Sequence, residues 1–212
     1  MRSALEPPAG ARARRLPLGS AVAVTLLFAL AGCAGGGSGV VYNSFFTIAY
    51  DPGSVRAAMS RAPLLVESYG SPAAGLAAET VSQSTVQALR QRGALWFPRN
   101  YTASAPDAGN GPYHLRIAYG VPKSFDRQRL CSSDMGPDVL EKAHGQDDDA
   151  STRALASFCR GETTLGTAEG APASGAQVGS AAFSEFVGRL ARAVMPRRNP
   201  ERDDDCLFRA CD

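Results

Sequence analysis

Between Tyr113 and Val121 the residues Tyr113, Leu115, Ile117 and Tyr119 alternate with His114, Arg116 and Ala118. A period of two predicts a strand with one buried face. His114 then stands on the opposite face, toward solvent or between elements. Val40 to Tyr50 (VVYNSFFTIAY) is β-branched and aromatic and predicts another strand. It is stopped by Asp51-Pro52-Gly53. Leu64 to Tyr69 predicts a third, closed by Gly70-Ser71-Pro72, and Ala94 to Phe97 a short fourth, ended by Pro98. Ala154 to Cys159 and Thr163 to Ala168 flank Arg160-Gly161-Glu162 and predict a hairpin with glycine at its turn. A helix from Ser151 would also suit Ala154, Leu155 and Phe158.

Helical spacing appears in two long stretches. From about Gly75 to Arg92, Ala78, Val81, Thr85, Ala88 and Leu89 share one face, while Gln83, Gln87, Arg90 and Gln91 are polar. Gly93 suits the position after its end. Near the C-terminus Ser180 caps a helix whose stripe is Phe183, Phe186, Val187, Leu190 and Val194; Pro196 stops it. Ser54 to Arg61 supports a shorter helix with Val55, Ala58 and Met59 on one face. Asn100 to Gly111 and Pro122 to Ser151 lose any period and predict loops, the second a flexible excursion. These elements in this order predict an α+β fold: a small antiparallel or mixed sheet with two main helices packed on one face. The domain spans about 40–196, followed by a charged tail at 197–212.

Composition narrows the function classes. The 212 residues carry a formal net charge of +2. Residues 1–32 hold four arginines and Glu6, a net +3, so the remaining 180 residues carry −1. Such a near-neutral domain lacks the electrostatic footprint of a nucleic-acid binder. The chain shows no internal repeat.

The first 39 residues say where the protein sits. Arg2, Arg12, Arg14 and Arg15 precede an apolar run that ends in Leu30-Ala31-Gly32-Cys33. The run Ala21 to Ala31 is 11 residues long, whereas a membrane-crossing helix needs about 20. A plain secretory signal would end in an Ala-x-Ala-like site. The segment instead resembles a bacterial lipoprotein signal peptide with its lipobox. That resemblance implies cleavage after residue 32 and diacylation of the Cys33 thiol, with residues 33–39 as a glycine-rich tether. Ala34, rather than Asp, after the cysteine resembles the signal for sorting to the outer membrane. The element order from about residue 63 to 196 also resembles, loosely, small bacterial envelope lipoproteins of unknown or accessory function.

An exported chain would hold its other four cysteines, Cys131, Cys159, Cys206 and Cys211, in an oxidising compartment. Two disulfides are expected. Of three connectivities the favoured one is Cys131–Cys159, which would clamp the excursion to the sheet, with Cys206–Cys211 closing a short tail loop. The zinc alternative lacks a Cys-x2-Cys pair and suitable histidines. His144 precedes Gly145-Gln146-Asp147-Asp148-Asp149, but the spacing is not that of a calcium loop. Gly70-Ser71-Pro72 follows a strand without the Gly-x-Ser-x-Gly pattern, and Pro72 removes an N–H that an oxyanion hole would use. No phosphate loop, paired carboxylates, cofactor motif or metal site is recognisable.

The sequence therefore predicts a lipid-anchored envelope protein, facing the periplasm from the outer membrane, with a binding or assembly-accessory role. Its expected partners are the membrane, through its lipid, and an envelope protein. The alternative is a membrane-tethered hydrolase with an unrecognised site involving His114.

Overall fold

The computed structural model describes residues 37–144 and 152–203. The chain runs β1 (Gly39–Phe46), α1 (Pro52–Arg61), β2 (Leu64–Tyr69), α2 (Ala78–Arg92), β3 (Tyr101–Thr102) and α3 (Ala105–Ala108). It continues with β4 (Tyr113–Tyr119), a 3-10 turn (Arg127–Cys131), α4 (Pro137–His144), β5 (Ala154–Arg160), β6 (Thr163–Pro172), α5 (Ala181–Val194) and α6 (Pro200–Asp203). The six strands form one mixed sheet in the order β1-β6-β5-β4-β2-β3. Its β1-β6-β5-β4 half is antiparallel, and β4-β2-β3 is parallel. This is the α+β architecture that the periodicities predict.

The first face of the sheet carries the main core. Leu64 and Val66 of β2, Leu115, Ile117 and Tyr119 of β4, and Ala156 and Phe158 of β5 point into it. The apolar stripes of α2 and α5 lie side by side on this face, joined by Val55 and Met59 of α1. Asp51 caps α1 by accepting from the Gly53 and Ser54 N–H groups, and Ser180 caps α5 through the Phe183 N–H at 3.1 Å. Gly188 allows α5 to approach α2 closely, since a Cβ there would lie 2.4 Å from the Arg92 carbonyl. Within this core Thr85 Oγ1 donates to the Val81 carbonyl at 2.8 Å and lies 2.9 Å from the Tyr119 hydroxyl.

Four segments differ from their sequence patterns. Ala94 to Phe97 turns instead of pairing, because the Trp96 indole N–H reaches across to the Met195 carbonyl at the end of α5, 2.8 Å away. The edge strand is Tyr101–Thr102 instead, inside the expected loop. The first part of the tail is anchored: Asn199 is buried and donates to the carbonyls of Thr47 (3.0 Å) and Tyr50 (2.8 Å).

The largest difference is the excursion. Residues 122–144 fold over the second face of the sheet, where Val121, Phe125, Leu130, Met135 and Leu140 pack on Ala118 and Leu155. Both faces of the central strands are therefore covered, which the alternation at 113–119 does not reveal. Two ties hold this cover. Cys131 is disulfide-bonded to Cys159 of β5, as the sequence favours, and the Arg116 guanidinium donates through Nη1 to the carbonyls of Leu130 (3.0 Å) and Ser132 (2.7 Å). Cys206 and Cys211 lie outside the described residues.

Replacing Phe186, which is fully buried, by Ala should lower the unfolding free energy by about 3–5 kcal/mol. Arg189→Ala, on the exposed side of α5, should change it by no more than about 0.5 kcal/mol. Thermal and denaturant unfolding of both variants checks this; an unshifted melting transition for Phe186→Ala would remove α5 from the core. The Cys131→Ala, Cys159→Ala double variant, which opens a loop with a sequence separation of 28, should lose roughly 3 kcal/mol, read by the same denaturant curves.

Candidate functional site

The cover extends over β2, β4 and β5 and reaches β6, where Thr167 and Glu169 are buried, while the second-face side chains of β1 stay exposed at the edge. Register places Val40, Tyr42 and Phe45 of β1 opposite Ala171, Glu169 and Thr167 of β6, so these side chains share the second face. Tyr42 and Phe45 are 40% and 49% exposed. Across from them stands the edge of the cover, residues 123–128. The result is a trough in two compartments that share Arg127.

The larger compartment measures about 760 Å³. Its β-sheet side is Tyr42, Asn43, Glu169 and Ala171, and its cover side Lys123, Phe125, Asp126 and Arg127. The buried Glu169 carboxylate anchors the arrangement: Oε1 accepts from Arg153 at 2.9 Å and lies 3.5 Å from Arg127 Nη2. Its Oε2 accepts from the Asn43 amide at 3.5 Å. Asn43 reaches it from a left-handed backbone (φ 51°) at the β-bulge between Tyr42 and Phe45, a conformation that asparagine tolerates better than most residues. Arg153 also donates to the Pro122 carbonyl at 2.7 Å, which fixes the start of the cover.

The smaller compartment, about 340 Å³, lies between Phe45, Thr47, Gln128, Glu162, Thr164 and Thr167. Thr167 has no exposed surface, and its hydroxyl has no hydrogen-bond partner among the described residues. Ser157, its cross-strand neighbour, carries a second such buried hydroxyl. Buried polar atoms without partners are uncommon and costly in folded proteins.

His114 sits elsewhere. It lies under the cover beside Glu67, with Nε2 4.0 Å from the carboxylate. That carboxylate accepts from Arg116 Nε at 2.7 Å and from the Tyr69 hydroxyl at 3.2 Å. Burial above all, and then the Arg116 guanidinium, pushes the imidazole below its ordinary pKa, against the pull of Glu67. His114 is thus an inter-element histidine, held neutral, and it lines neither compartment of the trough. Ser71 is likewise engaged locally: its hydroxyl donates to the Ala73 carbonyl at 2.5 Å. His144 closes α4, and Asp147, Asp148 and Asp149 lie outside the described residues, as does Cys33. Among the described residues, no cluster of three or more metal-ligating side chains occurs, and no helix is long and apolar enough to cross a membrane.

Sequence reasoning missed the trough. The predicted hairpin stops at Ala168, one residue before Glu169, and an acid in mid-strand was the one available signal. Arg127 and Arg153 stood at or inside the expected excursion, with nothing to indicate a shared partner. No family model, curated protein or solved structure matches this chain.

The buried His114 gives a pH dependence of definite sign. Its folded-state pKa is depressed, so below about 6.5 the unfolded chain binds the proton more readily and stability falls with falling pH. Melting temperatures measured between pH 7 and pH 5 should decline, and His114→Gln should flatten that decline. An identical slope in the variant would assign the effect to other groups.

Proposed function

We propose that this chain is a lipid-anchored protein of the cell envelope, held at the outer membrane and facing the periplasm, with a binding or assembly-accessory role. The anchor rests on the sequence that ends in Leu30-Ala31-Gly32-Cys33, and the binding role on the trough beside β1, with its exposed Tyr42 and Phe45 set against a charged wall. A concave site with a few convergent polar groups and exposed aromatic surface is the form of a recognition site. The strand that floors it begins at Gly39, six residues after Cys33. A tether of that length spans at most about 22 Å, so an acyl chain on Cys33 would hold the trough close to the membrane surface. The hydrolase alternative would need a reactive group joined to an open cavity; His114 is enclosed by Glu67, Arg116 and the cover.

Fractionation of cells tests the anchor. Wild-type protein is expected in the outer-membrane fraction, with the mass of a lipid-modified Cys33 at its N-terminus, and Cys33→Ser in another fraction without that mass. Wild-type protein in the soluble periplasmic fraction, with no lipid on its N-terminus, would refute the proposal. Cross-linking in intact cells followed by purification would then identify the envelope partner.

A further inference from the structure

We propose that the edge of the sheet at β1 lies against the lipid surface itself: Val40, Tyr42, Phe45 and Ile48 enter the interfacial layer of the bilayer, and the acylated Cys33 brings them there. The inference names a partner for the β1 side of the trough and rests on the lipid anchor proposed above.

The exposed apolar surface of the molecule is gathered at one place. Six large hydrophobic side chains are exposed among the described residues, and four of them, Val40, Tyr42, Phe45 and Ile48, belong to this one segment. Val40, Tyr42 and Phe45 share the second face of β1, and Ile48 follows just beyond the end of the strand. From Val40 to Tyr50 the chain holds no charged residue. A strand edge that faces water is ordinarily blunted with charge, above all lysine. Apolar surface concentrated in this way marks a contact with a partner.

The tether selects that partner. β1 begins at Gly39, so an acyl chain on Cys33 keeps the start of the strand within about 22 Å of the bilayer. Over a linker this short the local concentration of the strip at the surface is on the order of millimolar, and a contact too weak to hold a free protein suffices. Tyrosine suits the depth, with its ring toward the acyl carbons and its hydroxyl among the headgroups. The arginines that border the strip are already paired: Arg127 lies 3.5 Å from Glu169 and Arg189 3.6 Å from Glu185. The contact is therefore apolar and needs no anionic lipid.

A second copy of the chain, pairing strand to strand at the same edge, is the competing occupant. The bulge between Tyr42 and Phe45, with Asn43 in the left-handed region, breaks the regular ladder that such pairing requires. A bilayer needs only the side chains, which the bulge leaves exposed.

The full lipid-modified chain, purified from membranes and reconstituted in phosphatidylcholine vesicles, provides the test. Flotation of the vesicles reads anchoring, and quenching of tryptophan by lipids with brominated acyl chains reads contact. The native chain has one tryptophan, Trp96, which sets the baseline. Tyr42→Trp and Phe45→Trp should each add strongly quenched emission that raised salt leaves unaltered. Gln87→Trp should add none. Gln87 is exposed on α2 beside β3, at the opposite edge of the sheet, about 24 Å away at five strand spacings. Val40→Asp and Ile48→Asp, at positions 59% and 67% exposed, added together to Tyr42→Trp should abolish its quenching while flotation and the melting temperature hold. Unquenched emission from floated Tyr42→Trp and Phe45→Trp would overturn the proposal and leave the anchor standing. If acrylamide then fails to reach those residues, a second copy covers the strip, since the chain is the only protein present. Equal quenching at residues 42, 45 and 87, or quenching that survives the two aspartates, would overturn it as well. A chain that carries no lipid on Cys33 and does not float would overturn anchor and proposal together.

Discussion

The Arg116 guanidinium is the contact on which the second face of this molecule depends. It emerges from the middle of β4, donates to Glu67 of the neighbouring parallel strand, and donates again to the carbonyls on either side of Cys131. A cation in the centre of a covered sheet is costly to desolvate and persists only with its donors satisfied. Here the satisfaction comes from the cover itself, because Leu130 and Ser132 present backbone acceptors at the end of the 3-10 turn. The disulfide to Cys159 fixes the same turn covalently. Covalent bond, ion pair and the small apolar cluster around Leu130 thus act on one short stretch of chain.

The trough follows from where that cover stops. The cover packs on β2, β4 and β5 and reaches Glu169 of β6 through Arg127, and it leaves Val40, Tyr42 and Phe45 of the edge strand β1 exposed. An open strand edge with aromatic side chains is an aggregation hazard unless it is interrupted. The bulge at Tyr42–Phe45 provides the interruption, and the left-handed Asn43 that it requires turns an amide toward Glu169. Blunting of the edge and positioning of the buried carboxylate are therefore one piece of geometry. Arg153 couples the carboxylate to the start of the cover through Pro122, so the floor and wall of the trough are held by a single charged cluster.

Sequence pattern and tertiary structure divide the molecule along a physical line. Wherever one periodic face meets one core, the residues announce the element: the alternation at 113–119, the stripes of α2 and α5, the Ser180 cap and the Gly161 turn all appear as predicted. The Cys131–Cys159 pairing was legible for a related reason, since it joins the excursion to a recognisable strand. For the strands, helices, cap and turn, local chemistry sufficed because each is settled by neighbours three or four residues away, or by alternation within a strand. The cover over the second face was not legible. Its apolar residues Phe125, Leu130, Met135 and Leu140 are spread among charges without a period, and they form a cluster only once β4 and β5 provide a surface. The trough was decided at the same level: Tyr42, Arg127, Arg153, Thr167 and Glu169 come from four separate segments, and only the register of β1 on β6 and the endpoint of the cover bring them together.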